Sequence, residues 1–211
     1  MEEIIKVNLS DKREIILQGE DDISISLHDG EEIKCSYSVP YPSCGYGGGT
    51  LLLSPTEQYL LFAYYSGESD EAFMLFRIAG DKLELVYESA CFFGEDANYC
   101  FNGDENCLMQ ALRTGWWCAD EVEVDEAGKA FYEFGKINVL DIKNGVLTKH
   151  SIYVYPSSNW VEDVTDNGAF RLLAVMNDST VVVSLPWENE EVTLLPDETG
   201  KMHIYVNDGC G

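Results

Sequence analysis

The 211-residue chain has 38 Asp and Glu against 13 Lys and Arg, which gives a formal net charge of −25. Such a field repels phosphate backbones and anionic lipid surfaces, so the charge disfavours nucleic-acid and membrane binding. It favours encounter with a basic protein or peptide, unless it serves only to keep a β protein soluble. Hydrophobic residues make up 45% of the chain, enough for a sizeable core.

The N-terminal segment lacks a basic region followed by an apolar block, and no apolar run has the length of a transmembrane helix. We therefore expect no signal peptide and a cytoplasmic location. The seven Cys are odd in number and lack CxxC spacing, which favours free thiols in a reducing compartment.

The first 40 residues contain short apolar runs separated by turn signals. A polar turn at residues 9–13 precedes Ile15-Ile16-Leu17, and Asp29-Gly30 follows the alternating run of residues 23–27. Asp-Gly is a strong hairpin cue because both residues tolerate a positive φ. These features predict a four-stranded antiparallel unit.

Residues 51–89 repeat this pattern most clearly. A turn at residues 54–58 leads into Tyr59–Tyr65, whose apolar residues on both alternating faces predict a strand covered on both sides. Gly80-Asp81 predicts a second hairpin. The alternating residues 82–87 predict a half-exposed outer strand.

An inner strand, two apolar strands and a polar outer strand resemble one blade of a β-propeller. The segment SPTEQYLLFA, residues 54–63, is similar to the turn and second strand of WD-type repeats. The Gly-His and Trp-Asp dipeptides of that family are absent from this unit. The resemblance implies a fold and carries over no functional residue.

The turn recurs at residues 102–106 and 165–168, and the hairpin recurs at Asn144-Gly145 and, more weakly, at Trp187-Glu188. We therefore predict one all-β domain over residues 1–211, with four antiparallel four-stranded repeats at about 1–40, 48–90, 98–155 and 159–197. The arrangement is β-propeller-like, either closed or open and irregular; the alternative is a two-layer β-sandwich. A further strand at about 201–206 is expected to complete or close the last sheet.

In this arrangement the short turns share one end of the repeats and the long segments share the other. The long segments are residues 38–50, 66–71, 89–98, 113–134 and 153–160. Because binding residues concentrate on loops held by a rigid scaffold, this aromatic and acidic end is the predicted working surface. Its candidate binding residues are Tyr46, Trp116, Trp117, Asp120, Glu121, Glu123, Asp125, Tyr132 and Trp160.

Two alternatives to a binding role stay open for these residues. The aromatic side chains are equally suited to filling the core or covering the ends of the repeats. The acidic run at residues 120–126 is typical of a solvated loop, and its alternating valines also suit an exposed strand of an insertion hairpin.

The sequence contains no motif for catalysis or for a cofactor. His28, His150 and His203 are scattered and are expected to be ordinary surface or strand residues without zinc spacing. Gly45–Gly49 precedes a strand and predicts a flexible link between repeats. No cofactor and no catalytic residue is predicted, although weak calcium binding by the acidic loops stays open.

The preferred hypothesis is a non-catalytic acidic module that captures a basic protein or peptide. An immunity-type or antitoxin-type inhibitor of a basic toxin is one concrete form. The alternative is a carbohydrate-active enzyme or glycan-binding protein that uses Asp, Glu and aromatic residues of the long-loop end. The sequence leaves the oligomeric state open.

Overall fold

The fold is taken from a computed structural model, which describes residues 4–19, 23–39, 49–65, 70–90, 92–93, 95–113, 123–124, 126–128, 130–155, 171–175, 180–184 and 191–205. These residues form strands and turns, which confirms the all-β prediction. No helix in the described ranges is long and apolar enough to cross a membrane. The chain divides into two compact units, Met1–Phe93 and Gly94–Gly211.

The first unit contains two antiparallel sheets. The first sheet has the order β1 (Ile4–Asn8), β2 (Glu14–Gln18), β3 (Ser24–Asp29) and β4 (Glu32–Ser38). The second has the order β5 (Gly49–Leu53), β6 (Tyr59–Tyr65), β7 (Asp70–Ala79) and β8 (Lys82–Glu88), and the short β9 (Phe92–Phe93) pairs with the beginning of β7.

The two sheets of the first unit share one hydrophobic core. Alternate side chains of the first sheet, such as Ile15 and Leu27, pack in the same cluster as Leu60 and Phe76 of the second. An edge-to-face contact with ring centroids 4.9 Å apart joins Tyr37 to Phe76. Each fully buried large apolar side chain stabilises the fold by about 1.5–3 kcal/mol, so this cluster is the main stabilising feature of the unit.

The strand β6 is buried on both of its faces, as its sequence predicts. Leu60 and Phe62 face the shared core, while the intervening Leu61 and Ala63 are also buried. The outer strand β8 is half-exposed, which confirms the second expectation for this repeat.

The second unit contains the remaining strands. One sheet has the order β10 (Glu95–Phe101), β11 (Cys107–Arg113), β13 (Ala130–Asp141), β14 (Val146–Tyr155) and β18 (Lys201–Tyr205), with β12 (Glu123–Val124) paired to the beginning of β13. The other has the order β15 (Arg171–Val175), β16 (Val181–Ser184) and β17 (Glu191–Leu194). That all four predicted repeats belong to one domain stays a prediction.

The expected position of the last strand is wrong. β18 does not extend the sheet of β15, β16 and β17; it pairs in parallel with β14, with Ser151 opposite Lys201 and Tyr155 opposite Tyr205. The ten-residue β14 leaves an edge that no other described strand covers, and its backbone groups require partners. Burial of Met202 and Ile204 accompanies this pairing.

Several residues assigned to long loops lie in strands instead. Residues 70–71 begin β7, where Glu71 is buried, and residues 95–96 begin β10. Tyr132 lies in β13, and residues 153–155 end β14. Cross-strand pairing continues through these polar positions because long neighbouring strands supply hydrogen-bond partners that a local sequence pattern does not reveal.

The predicted Asp29-Gly30, Gly80-Asp81 and Asn144-Gly145 turns are confirmed, and their glycines have φ values of 59°, 58° and 64°. The weaker Trp187-Glu188 signal and the turn at residues 165–168 lie outside the described residues.

The turn before the second strand also recurs, with a feature the sequence conceals. The N–H of its fourth residue donates to the carbonyl of its first at 2.9–3.1 Å, and the fourth residue has a positive φ. The first-to-fourth pairs are Leu9 and Lys12, Ser54 and Glu57, Asn102 and Glu105, and Asp197 and Gly200. Three of the four left-handed positions are thus occupied by charged residues, which a search for glycine does not find.

We expect Gly145→Ala to destabilise the second unit by roughly 1 kcal/mol, because a side chain at φ 64° is strained although no atom lies within 4 Å of the new Cβ. The matched control is Gly103→Ala, which also has open space but no positive φ. Urea denaturation followed by far-ultraviolet circular dichroism compares the two, and equal midpoints contradict the strain argument.

Shortening a side chain in the shared core should lower the free energy of unfolding far more than shortening one on the outer strand. Leu60 is fully buried and Leu85 is 38% exposed. Leu60→Ala is expected to lower the free energy of unfolding by about 2–5 kcal/mol, and Leu85→Ala by about 1 kcal/mol or less. Hydrogen exchange of the β6 and β7 amides measures the difference; similar losses of protection in both variants refute this description of the core.

Candidate functional site

Of the predicted binding residues, Glu123 and Tyr132 lie in the described strands. Glu123 is opposite Phe131 in the β12–β13 hairpin, and Tyr132 is opposite Val154 of β14. Val124 is 64% exposed, so the alternative of an exposed hairpin strand is confirmed for this short segment. Outside the described residues lie Tyr46, Trp116, Trp117, Asp120, Glu121, Asp125 and Trp160.

The hairpin brings Glu123 and Tyr132 close to a cluster of aromatic and titratable residues on β14 and β18. Phe131, the cross-strand neighbour of Glu123, packs against Tyr153 and Tyr155 with ring centroids 5.4 and 5.3 Å apart. The strand alternation places Tyr153 and Tyr155 on one face of β14, where they meet His203 of β18. We call the contact region between β14 and β18 the β14–β18 seam.

His203 joins an acid and a phenol across this seam. Its Nε2 lies 2.9 Å from Oδ2 of Asp197, and its Nδ1 lies 3.2 Å from the hydroxyl of Tyr155. An ionised carboxylate only accepts hydrogen bonds, so Nε2 donates to Asp197, and the direction of the Nδ1–Tyr155 hydrogen bond depends on whether Nδ1 also carries a proton. Tyr155 is only 6% exposed, so the series is suited to holding two strands together and poorly suited to reaching a dissolved substrate.

Asp197 is held by its own turn as well as by His203. Its Oδ1 accepts hydrogen bonds from the Thr199 N–H and hydroxyl and from the Lys201 N–H, at 2.8–3.0 Å. The His203 hydrogen bond first, and then these turn contacts, hold the pKa of the Asp197 carboxyl well below its ordinary range.

Two further basic side chains contact the β14–β18 seam. The Lys201 ammonium lies 4.9 Å from the centroid of the Tyr153 ring, a cation–π distance. His150 Nδ1 donates to the Gly200 carbonyl at 3.1 Å. In an acidic chain, this seam therefore brings Lys201 and His203 against the rings of Tyr153 and Tyr155, while His150 contacts the backbone before β18.

At the turn end of the first unit, in contrast with the β14–β18 seam, acidic side chains surround the basic ones. The Arg13 guanidinium lies 2.7 Å from Asp11 and 3.6 Å from Asp81, and it also donates to the Gly80 carbonyl. Lys34 makes a corresponding ion pair with Glu32 at 2.7 Å and lies 3.9 Å from Asp29. Both cationic side chains are only 18% exposed, so the neighbouring acids occupy most of their charged surface.

The ion pairs shift the pKa values of three of these groups. The hydrogen bond to Asp11 raises the pKa of Arg13, and the same contact lowers the pKa of the Asp11 carboxyl. The hydrogen bond to Glu32 raises the pKa of Lys34. Asp11, Arg13 and Lys34 therefore stay charged over the physiological pH range.

The outer strand β8 keeps an excess of negative charge. Glu84 and Glu88 are exposed, and no hydrogen bond or ion pair within the described ranges involves either carboxylate. The exposed Leu85 lies between them. β8 therefore carries two acids without an ion pair among the described residues, and the exposed Arg77 of β7 lies opposite Glu84 in the register.

A carboxylate also links the turns of the two sheets in the first unit. Glu57, in its left-handed position, accepts the Ser10 N–H at 2.9–3.0 Å and the Ser10 hydroxyl at 2.8 Å. This contact gives Glu57 a structural role at the turn end.

The described residues do not assemble a metal site. No group of three or more His, Cys, Asp or Glu within the described ranges has the geometry to hold a metal ion. Cys35, Cys100 and Cys107 take part in no disulfide, and burial, with a contribution from Asp141, raises the pKa of Cys107. A raised pKa lowers the thiolate fraction and makes Cys107 a poor nucleophile.

A buried amide network occupies the middle of the sheet that contains β14. Gln110 donates to the Tyr99 hydroxyl at 2.9 Å and accepts from the Asn138 amide at 2.8 Å. Gln110 and Asn138 are each 1% exposed and lie opposite one another in the register. The network links β10, β11 and β13 at one register position, although the buried Oδ1 of Asn138 has no hydrogen-bond partner among the described residues.

No family model and no curated protein matches this sequence.

Sequence patterns alone missed the β14–β18 seam. His150 and His203 were expected to be ordinary strand residues, and each indeed lies in a strand with hydrogen-bond partners. The available signal was the Pro196-Asp197-Glu198-Thr199-Gly200 segment, which has the turn pattern of the earlier repeats directly before an alternating strand. That signal identifies the turn, but it does not identify β14 as the neighbour.

The Asp197 carboxylate should make stability depend on pH at the acidic end. Its folded-state pKa is lowered, so its contribution is present above the unfolded pKa of about 3.9 and is lost as the pH falls towards the folded value. We expect Asp197→Asn to be less stable than the unmodified protein at pH 7. As the pH falls from 5 to 2, the variant should lose less stability than the unmodified protein does.

Thermal unfolding across this pH range measures the effect. The control is Asp104→Asn, which removes an exposed carboxylate that makes no hydrogen bond among the described residues. If both variants follow the same pH profile, Asp197 does not stabilise the β14–β18 seam through its charge.

Proposed function

We propose that this protein is a non-catalytic acidic module that captures a basic protein or peptide, and that an immunity-type or antitoxin-type inhibitor is one form of it. The observation that carries the proposal is the surplus of unpaired negative charge. The chain has a net charge of −25, and the Arg13 and Lys34 cations lie within internal ion pairs. The acids of the outer strand β8 are left for a partner.

The exposed residues of β8 lie on two faces of its sheet. Leu85, which is 38% exposed, and Glu88 are opposite Phe76 and Met74 on one face, whereas Glu84 is opposite Arg77 on the other. Charge complementarity mainly accelerates encounter and suppresses wrong partners, while apolar contacts supply affinity. Such a surface fits a basic partner with exposed apolar side chains.

The finer fold proposal is a propeller-like array of sheets, open or irregular. In the first unit, the first strands of the two sheets, β1 and β5, approach each other, and so do the fourth strands, β4 and β8. This side-by-side relation of equivalent strands supports blades, because blades repeat around an axis with equivalent strands at similar radius.

Affinity capture from the native host tests the proposed function. The tagged protein is exposed to lysate at low salt and eluted at high salt, and the retained proteins are identified and then purified for direct binding. A basic protein whose affinity falls steeply with ionic strength is the expected result. If no purified basic candidate binds at low salt, the proposal fails.

Charge reversal on β8 locates the surface. Glu84→Lys/Glu88→Lys should weaken partner binding by roughly tenfold or more, chiefly through a slower association rate. The matched control is Asp104→Lys/Glu126→Lys, which changes the net charge equally at two other exposed acids. Equal effects of the two double variants, measured by surface plasmon resonance, would mean that only the overall charge matters.

A further inference from the structure

The strand β18 is added to its sheet in an unusual way. The other described strand pairs are antiparallel, whereas β18 joins β14 in parallel through the register of Ser151–Tyr155 with Lys201–Tyr205. No described strand follows β18, and the pairs among β10, β11, β13 and β14 do not involve it. Removing β18 therefore leaves the rest of the sheet paired.

The residues of β18 have the pattern expected of a basic ligand strand. Lys201 and His203 alternate with the buried Met202 and Ile204, which are 1% and 5% exposed. The two apolar side chains supply burial, and the two basic side chains face the aromatic residues of β14. The seam therefore shows aromatic residues of β14 in contact with the two basic side chains of an extended segment.

The acceptor side of the contact is contributed by β14. Tyr153 receives the Lys201 ammonium over its ring at 4.9 Å, and Tyr155 hydrogen-bonds to His203 at 3.2 Å. Phe131 supports both rings from β13. These groups belong to β13 and β14, whereas Asp197 belongs to the turn that leads into β18.

We propose that the edge of β14 is a docking site for an extended basic segment of the partner, and that β18 occupies this edge as an internal ligand which the partner displaces. The proposal rests on the proposed function and adds its site and its regulation. The displacing segment runs parallel to β14 and alternates basic with apolar residues, ending in an aromatic residue, as β18 does.

Exchange at this edge is physically reasonable. Strand addition draws affinity from main-chain hydrogen bonds and specificity from alternate side chains, so a strand of similar pattern makes the same contacts as β18. Parallel pairing is slightly less stable per residue than antiparallel pairing. The cost of displacing β18 reduces the partner's apparent affinity, as expected for an autoinhibitory segment.

The test is a reversible covalent lock on β18. Ser151→Cys/Lys201→Cys places two thiols at directly opposed register positions, and oxidation joins the two strands. The probe is a fluorescent synthetic peptide of residues 199–206, with a second peptide in which Lys201 and His203 are replaced by Glu. Mass spectrometry verifies the intended disulfide, and the reduced form of the same variant is the matched control.

We expect the reduced protein to bind the basic peptide at least tenfold more tightly than the oxidised protein and to bind the acidic peptide weakly. Because β18 already pairs with residues 151–155, hydrogen exchange should show loss of protection in residues 201–205 when the peptide binds, while residues 151–155 stay protected. Equal binding to the oxidised and reduced forms, or no binding to the reduced form, overturns the proposal.

Poly-L-lysine separates this failure from a failure of the proposed function. One outcome is that poly-L-lysine binds both forms in a salt-sensitive way while the peptide binds the oxidised and reduced forms equally. In that case the acidic surface binds basic chains and the β14 edge does not select them. If neither probe binds at low salt, both proposals fail.

Discussion

The hydrogen-bonding demand of strand edges is the constraint on which the described sheets depend. Each outer strand presents backbone N–H and C=O groups that attract another strand unless the edge is covered or distorted. In the first unit, register shifts leave Lys34 of β4 and Val86 of β8 as bulged residues. In the second unit, the corresponding edge of β14 is covered by β18. One problem thus has two solutions within one chain.

The two solutions have different functional consequences. A bulge bends the strand and discourages pairing, which leaves β8 to act through its exposed Glu84, Leu85 and Glu88. A covering strand leaves the acceptor edge regular and therefore competent to pair again when the cover is removed. The acidic surface of β8 suits electrostatic encounter, and the β14 edge suits recognition of an extended segment.

Internal ion pairs decide which acidic side chains lie beside a cation. Arg13 and Lys34 bind the acids of three neighbouring turns, and such exposed pairs contribute little stability individually. Their effect on the surface is local, because each cation offsets the carboxylates beside it while the net charge of −25 is unchanged. The exposed carboxylates of β8 have no such ion pair among the described residues.

Local patterns determined the fold class, the strands and many of the turns. Asp29-Gly30, Gly80-Asp81 and Asn144-Gly145 mark hairpins because left-handed backbone is a local property of these residues. The alternation in β8 and the apolar residues on both faces of β6 likewise follow from the period of a strand. The left-handed Lys12, Glu57 and Glu105 escaped prediction because hydrogen bonds of the folded turn, and not their own preference, hold them there.

Tertiary structure alone decided which edges meet. The sequence of residues 201–205 does not predict that β14 is their neighbour, because pairing depends on which edge remains uncovered after the other strands have folded. The same holds for Tyr132 and Glu71, which look like loop residues until a long neighbouring strand supplies their hydrogen-bond partners. The sequence by itself thus determined the β character, the acidity and the local turns of this protein. The β14–β18 seam, with Asp197, His203 and Tyr155 in contact, was decided by long-range pairing that no local pattern encodes.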